Sequence, residues 1–166
     1  MYSRSAVRYH DGMKQLVAQY KYRGDRKLRE VMAYLLWRAW CMHYRTMKID
    51  MLTYVPLHEE RLYERTFNQA EDMARLLGKM VDVPVTGLLQ RKKPTGKQSR
   101  KDRTARLQSM REAFHFVEEK AVVLPERPVI IVVDDVYTTG TTLAEASRAI
   151  KKEIPAARLY GLTAAR

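Results

Sequence analysis

The sequence predicts an α/β fold built on an open, mainly parallel sheet with helices on its flanks. Residues 129–133 (VIIVV) are all β-branched, which is typical of a parallel strand covered on both faces. Strand-like segments alternate along the chain with segments whose apolar residues follow helical spacing, as expected for βαβ architectures. The chain has 166 residues, 46% of them hydrophobic, which is enough to bury the core of one structural unit.

We expect residues 1–48 to form an N-terminal helical segment that packs on a core domain of residues 49–166. Apolar spacing predicts helices, in chain order, at residues 11–22, 27–45, 67–80 and 143–154. The predicted strands are residues 51–55, 129–133 and 159–163, with a short extended stretch at 83–89 and a loop at 91–106. The first two predicted helices contain five aromatic residues at helical spacing, which favours packing in the core over a platform for stacking bases. They are Tyr20, Tyr22, Tyr34, Trp37 and Trp40.

Charge and cysteine content narrow the class of protein. The formal net charge of +12 points to anionic partners, which include nucleic acid, phosphorylated metabolites and an acidic protein face. Cys41 is the single cysteine, which excludes a disulfide framework and a four-cysteine zinc site within this chain. Residues 31–44 are too short to span a bilayer, and no signal peptide is evident, so we expect a cytoplasmic protein.

The turn after the strand at 129–133 is the most informative segment. Asp134 and Asp135, called the acidic pair below, come directly after the strand, and four threonines around Gly140 precede a helix. Ligands of open α/β sheets bind beyond the carboxyl ends of the strands, and a helix N-terminus holds phosphate. Carboxylates accept hydrogen bonds from hydroxyls or bind a divalent cation. The segment therefore predicts a site for a phosphorylated sugar, the alternative being an acidic turn with a threonine cap and no ligand.

A second candidate segment follows the strand at 51–55. Arg61 and Arg65 lie four residues apart and share one face if this stretch is helical. Guanidinium forks suit pyrophosphate oxygens, and parallel strands would bring these arginines to the same sheet edge as Asp134. The alternative is a turn followed by solvated arginines. His58 fits equally a turn residue and a hydrogen-bonded core group.

A third candidate segment is the basic run at residues 91–111, which holds nine lysines and arginines against Asp102 alone. Such a loop suits a lid over a pyrophosphate leaving group, with Lys97 as the candidate contact. The same charges suit a nucleic-acid backbone. A solvated basic loop without a ligand remains the alternative.

Residues 129–143 closely resemble the phosphoribosyl pyrophosphate signature of type I phosphoribosyltransferases. The resemblance implies that the acidic pair contacts the ribose diol. It also implies that the threonine-glycine loop wraps the phosphate of the sugar through Thr138, Thr139, Gly140, Thr141 and Thr142. Some relatives that act on purines have an aspartate at the position of Thr138, so the threonine here disfavours purine salvage.

Further blocks narrow the resemblance to the ComF competence-protein family within that group. They are residues 55–58 with Arg61, Arg65 and 67–69, then Thr95, Gln98, Arg106 and 113–114, and finally residues 21–25 and 161–166. Thr66 stands where the family usually has glycine, so we expect a different local loop if that glycine needs a positive φ. Many ComF proteins begin with a cysteine-rich zinc-finger segment. That segment is missing here, having been removed or being absent from this member. The resemblance therefore implies nothing about the role of a zinc finger in this chain.

The resemblance implies a protein that binds phosphoribosyl pyrophosphate with Mg²⁺ carried by the pyrophosphate. The implied catalytic residues are Asp134, Asp135 and Arg65, and the implied pyrophosphate contacts are Arg61, Arg65 and Lys97. Because ComF relatives are associated with natural transformation, the alternative is a non-catalytic module that binds single-stranded DNA beside a helicase-like partner. An RNA-binding regulator is a third option. The residues leave open the acceptor, the occurrence of turnover and the oligomeric state.

Overall fold

The computed structural model describes residues 1–22, 27–91, 113–117 and 123–166. Its strands are β1 (Tyr2–Val7), β2 (Met51–Tyr54), β3 (Leu89–Arg91), β4 (Phe114–Phe116), β5 (Val129–Val136) and β6 (Arg158–Ala165). Four of them form one sheet in the order β1-β6-β5-β2, and each neighbouring pair is parallel. β3 and β4 pair antiparallel in a separate sheet. The predicted fold class is therefore confirmed.

The helices are α1 (Asp11–Tyr22), α2 (Leu28–His43), α3 (Glu59–Arg65), α4 (Gln69–Val81) and α5 (Thr141–Glu153). Four of them were predicted, and their ends agree with the predicted ranges to within two residues. Within the part of the chain that the structure describes, no helix is long and apolar enough to cross a membrane. The loop predicted at 91–106 lies outside the described residues apart from Arg91.

β5 is buried from both sides, as its β-branched sequence predicts. Ile131 and Val133 pack into a cluster formed with α1, α2 and α4, whereas Ile130 and Val132 pack into a second cluster formed with α5, β3 and β4. All four side chains are fully buried. Because the burial of one such side chain contributes about 1.5–3 kcal/mol, the position of β5 in the sheet is strongly determined.

Asn68 joins the start of α4 to the end of β2. Its side-chain oxygen accepts from the Ala70 N–H at 3.0 Å, which caps the helix, and its amide nitrogen donates to the Val55 carbonyl at 3.1 Å. The Asn68 side chain is buried, so both bonds are protected from water. This single residue therefore fixes where α4 begins relative to the sheet.

The short helix α3 carries both Arg61 and Arg65, which confirms that they lie on one helix. It begins at His58, whose ring nitrogen accepts from the Glu60 N–H at 3.3 Å, so this histidine is a helix cap. It ends at Thr66, which has φ 63° and ψ −6°. Thr66 thus adopts the left-handed conformation that favours glycine. The threonine is therefore compatible with the backbone that a glycine with positive φ would have at this position, and it does not force a different loop.

One expectation about the N-terminal segment is wrong, because residues 1–48 are not entirely helical. Residues 2–7 form β1, an edge strand that pairs with β6, and the Ser5 hydroxyl bonds that of Thr163 at 2.7 Å. The polar residues of an edge strand hide the apolar alternation that marks a more buried strand. The division of the chain at residue 48 stays a prediction.

The expectation that the early aromatic residues lie in the core holds for only part of the set. Tyr20 and Trp40 are buried, but Tyr34 is 52% exposed and Trp37 is partly buried. The side chain of Tyr22 lies outside the described residues. Tyr34 differs because it lies on the solvent side of α2, where its ring stacks on Trp37 with centroids 5.6 Å apart.

Thr66→Gly is expected to stabilise the protein. A left-handed conformation costs a β-branched residue about 1–2 kcal/mol, and part of that gain is offset by the greater entropy of glycine in the unfolded chain. We therefore expect the free energy of unfolding, measured with urea, to rise by about 0.5–1 kcal/mol.

Asp82→Gly is the matched control, since Asp82 also ends a helix with a positive φ, 54°. Aspartate tolerates this conformation better than threonine, so its gain should be smaller. A loss of stability in Thr66→Gly would show that the hydrogen bond from the Thr66 hydroxyl to the Arg65 carbonyl, at 2.6 Å, outweighs the backbone strain.

Candidate functional site

A cleft of about 260 Å³ opens at the carboxyl edge of the sheet, where β2 ends opposite Val133. β5 continues to Val136, so the acidic pair lies in the last part of this strand and not, as the sequence predicted, after it. Tyr54 pairs in register with Val133, and the Val55 N–H donates to the Val133 carbonyl at 3.0 Å. Because Asp134 follows Val133, the acidic pair and the segment after β2 meet at this edge, as expected. The charged residues that line the cleft are Lys21, Arg61, Arg65, Arg91, Asp134 and Asp135.

The two carboxyl groups of the acidic pair have different partners. Asp134 turns back on its own backbone, and its Oδ1 accepts from the Asp135 N–H at 2.9 Å. Asp135 Oδ2 lies 2.5 Å from Nζ of Lys21, which reaches the cleft from α1. The Asp135 and Lys21 side chains are only 14% and 23% exposed, respectively, so this ion pair is largely shielded from solvent. The second carboxylate is therefore neutralised by a lysine from a distant part of the chain.

Burial raises the pKa of Asp134 to about 7, and the negative charge of Asp135 adds to the rise. The Asp135 N–H, the Lys21 ammonium and the Arg91 guanidinium favour the ionised form and oppose this shift in pKa. Near neutral pH, Asp134 thus exchanges between a carboxylate that only accepts hydrogen bonds and an acid that also donates one. The members of the acidic pair are chemically distinct.

The turn between β5 and α5 depends on Gly140. This residue has φ 76° and occupies the N-cap position of α5, where glycine has no side chain to bond the first amides of the helix. A side chain at Gly140 would collide with the hydroxyl and ring of Tyr137. The uncapped amides and the partial positive charge of the helix start leave this turn suited to an anion.

The side chains of the turn line two neighbouring hollows. Thr138 and Thr142 line the cleft that holds the acidic pair. The other three predicted phosphate residues, Thr139, Gly140 and Thr141, line a hollow of about 490 Å³. There the hydroxyls of Thr139 and Thr141 bond each other at 2.8 Å. Thr138 and Thr142 are thus the hydroxyls of this turn that share a cleft with the carboxylates.

Hydrogen-bond donors dominate the side of the cleft formed by α3, α4 and β3. Arg65 Nη1 donates to Gln69 Oε1 at 3.2 Å. Gln69 is 2% exposed, and among the described residues its amide nitrogen has no hydrogen-bond partner.

Burial lowers the pKa of Arg91, and the positive charge of Arg61 lowers it further. Clustered cations of this kind favour an anionic ligand.

The structure brings most of the predicted site residues to one cleft: Arg61, Arg65, Asp134, Asp135, Thr138 and Thr142. Lys97 lies outside the described residues. Sequence reasoning did not assign Lys21, Gln69 or Arg91 to the site. Gln69 and Arg91 stand inside segments already singled out. Lys21 also stands in such a segment, residues 21–25, but no local pattern assigns it a chemical role, because its partner Asp135 lies far away in sequence.

The acidic pair supplies oxygens of the kind that bind Mg²⁺. Among the described residues, no three acidic, histidine or cysteine side chains converge on one point. Mg²⁺ is commonly held by one or two carboxylates together with the phosphates of a substrate. Asp134 and Asp135 supply oxygens of the required kind at the cleft, so the donor set agrees with an ion carried by pyrophosphate.

Asp134→Asn is expected to be more stable than the wild-type protein at pH 8, with the difference shrinking towards pH 4. The pKa of Asp134 rises from 3.8 to about 7 on folding, so stability is lost as the pH rises through this window. One pKa unit corresponds to about 1.4 kcal/mol, so the melting temperature should differ by several degrees at pH 8.

Thermal melts of both proteins between pH 5 and pH 8 measure this difference. Asp135→Asn serves as the control, because it removes the partner of Lys21 and should bring no gain in stability at pH 8. A difference between Asp134→Asn and wild type that is the same at every pH would contradict the assignment.

Known proteins similar in sequence carry the name of competence proteins. The chain is 32% identical over 161 residues to competence protein ComFC of Bacillus subtilis, covering 97% of this chain and 62% of that protein. It is 30% identical over 148 residues to competence protein F of Haemophilus influenzae, covering 87% and 64%. ComFC of Streptococcus pneumoniae is 28% identical over 149 residues, covering 90% and 61%. The chain thus spans about three fifths of these relatives, and no family model matches it.

Among solved structures, the allosteric regulatory enzyme of purine biosynthesis superimposes with a TM-score of 0.52 at 16% identity, covering 88% of this chain and 29% of that one. Adenine phosphoribosyltransferase from Saccharomyces cerevisiae gives a TM-score of 0.46 at 15% identity, covering 86% and 72%. The first of these likenesses concerns the fold alone and agrees with the parallel sheet described above. The chain is a homologue of the ComFC and F competence proteins, and its fold is similar to that of the allosteric regulatory enzyme of purine biosynthesis.

Proposed function

We propose that this protein binds phosphoribosyl pyrophosphate together with Mg²⁺. The observation that supports it is the meeting, in one cleft, of the acidic pair, Thr138 and Thr142 beside the start of α5, and the arginines of α3. A pentose with a phosphate at one end and pyrophosphate at the other offers a partner to each of these groups. A bare phosphate would be repelled by the carboxylates, and an unphosphorylated sugar carries no negative charge that the cations of the cleft would attract.

In this proposal, the ligand lies across the carboxyl edge of the sheet. The diol of the ribose donates to the acidic pair, and its phosphate lies at the start of α5 beside Thr138 and Thr142. The pyrophosphate lies at the donor-rich side, where Arg61, Arg65 and the buried amide of Gln69 supply hydrogen bonds. We add Lys97 to the pyrophosphate contacts on the basis of its sequence position.

The same arrangement suits phosphoribosyl transfer. The bond between ribose C1 and the pyrophosphate oxygen would break, with its electron pair leaving on pyrophosphate, while an acceptor nucleophile forms a bond to C1. Arg65 and Arg61 would neutralise the leaving charge, and Asp134 and Asp135 would hold the sugar. A magnesium ion bound through the pyrophosphate oxygens would neutralise further charge.

We further propose that the chain acts in natural competence, in the cytoplasm. The support is the similarity of the chain to competence proteins of three bacteria. A helicase-like partner stays part of this proposal. Since the chain spans about three fifths of the length of those relatives, the proposal concerns only the part of them that it matches.

Calorimetric titration with phosphoribosyl pyrophosphate and Mg²⁺ tests the proposed ligand. Asp134→Asn combined with Asp135→Asn should weaken binding at least tenfold, because a hydrogen bond to a charged group contributes about 1.5–3 kcal/mol. Ribose 5-phosphate lacks the pyrophosphate and should bind more weakly than the full ligand.

The matched control combines Asp11→Asn with Asp82→Asn. It makes the same change in net charge at two positions outside the cleft and should bind as the wild type does. Equal affinity of the acidic-pair variant and this control would overturn the assignment of the acidic pair to the sugar.

A second candidate function is the binding of single-stranded DNA along α2. Its outer face exposes Tyr34, whose ring stacks on Trp37, together with Val31 and Met42. Arg38 is exposed on the same face, one helical turn after Tyr34. Exposed rings beside cations suit stacked bases and a phosphate backbone. This surface is separate from the cleft, so both functions are compatible with one chain.

Tyr34→Ala should weaken the binding of an oligothymidylate about fivefold or more, since stacking on an aromatic ring contributes about 1–3 kcal/mol per base. Fluorescence anisotropy at two salt concentrations measures the affinity and its dependence on charge. Tyr2→Ala is the control, because Tyr2 is also highly exposed but lies on β1. If both variants bind as the wild type does while charge reversal within residues 92–106 abolishes binding, DNA is bound by the basic run instead.

A further inference from the structure

Helix α1 contributes a residue to the cleft although it lies more than a hundred residues before the acidic pair in sequence. Lys21 stands in the last turn of α1, and its Nζ lies 2.5 Å from Asp135 Oδ2. Both side chains are mostly buried, which distinguishes this pair from an exposed ion pair such as Lys14 with Asp11. Exposed pairs contribute little, whereas a shielded pair constrains both partners.

The end of α1 is held firmly next to the cleft. Tyr20, the residue before Lys21, is fully buried, and its ring lies 5.4 Å from that of Phe67. Phe67 directly precedes Asn68, the residue that joins α4 to the end of β2. Met13 and Val17 fix the rest of α1 in the same core cluster. The backbone of Lys21 is therefore positioned by packing, independently of any ligand.

The ion pair between Lys21 and Asp135 changes the charge that a ligand meets in the cleft. A ligand that carries several phosphates approaches a site containing two carboxyl groups, each of which repels it when ionised. The ammonium of Lys21 neutralises Asp135 and takes up one of its oxygens. The other oxygen stays available to accept a hydroxyl, in an orientation set by the ion pair.

We propose that Lys21 is the positioning residue of Asp135, holding its carboxylate in the orientation that accepts from the ligand hydroxyls and cancelling its repulsion of phosphate. The inference rests on the proposed function, because it assigns a role to Lys21 in binding the same phosphorylated sugar. It makes α1 part of the ligand site.

A double-mutant cycle tests this role by calorimetric titration with phosphoribosyl pyrophosphate and Mg²⁺. The variants are Lys21→Met, Asp135→Asn and the two combined. If Lys21 acts through Asp135, each single change should weaken binding about tenfold, and the combination should weaken it little more than Asp135→Asn alone. Independent contacts would instead multiply to about a hundredfold loss.

Two further variants separate this role from a general effect on folding. Lys21→Arg keeps the charge and should restore most of the affinity. Lys14→Met removes a lysine from the exposed face of the same helix and should bind as the wild type does. Thermal melts of every variant show whether the fold is kept.

The possible results are distinguishable. If the wild type itself fails to bind the ligand, the proposed function is wrong. If the wild type binds and Lys21→Met binds equally well, the role of Lys21 is wrong while the proposed function stands. A multiplicative loss in the double variant would overturn positioning and show that Lys21 contacts the ligand directly.

Discussion

The burial of β5 on both faces is the constraint on which the rest of the structure depends. Its alternate side chains enter two core clusters, so a shift of one residue would exchange every inward contact. Parallel pairing with β2 then brings the carboxyl ends of both strands to one edge. Asp134 and the segment after Val55 meet there because the core determines the register, and the site inherits its geometry from packing.

The cleft balances opposite charges over a short distance. Arg61, Arg65 and Arg91 line it with the acidic pair, and no single small group satisfies both sets. Burial raises the pKa of Asp134, which favours its neutral form below pH 7, while Lys21 pairs with the carboxylate of Asp135. The proposed ligand matches this mixture, because its hydroxyl groups suit the carboxylates and its phosphate groups suit the cations.

Sequence reasoning identified the parts of the fold and site that local patterns encode. The β-branched run at β5 and the turn around Gly140 were readable because their signal lies within fifteen residues. β1 was missed because an edge strand needs few apolar residues. Tyr34 was wrongly predicted to be buried because helical spacing alone does not tell which face of a helix is covered. Lys21 was missed because its role depends on a contact between distant segments, which no local pattern contains.

The N-terminal segment is an integral part of the sheet and of the cleft, and not a helical attachment to them. β1 extends the sheet beside β6, and the backbone N–H of Tyr9 donates to the carbonyl of Arg166 at 2.6 Å, so both ends of the chain meet in one structure. α1 then places Lys21 beside Asp135. The same N-terminal segment therefore extends the sheet at one edge and brings a cation to Asp135 in the cleft.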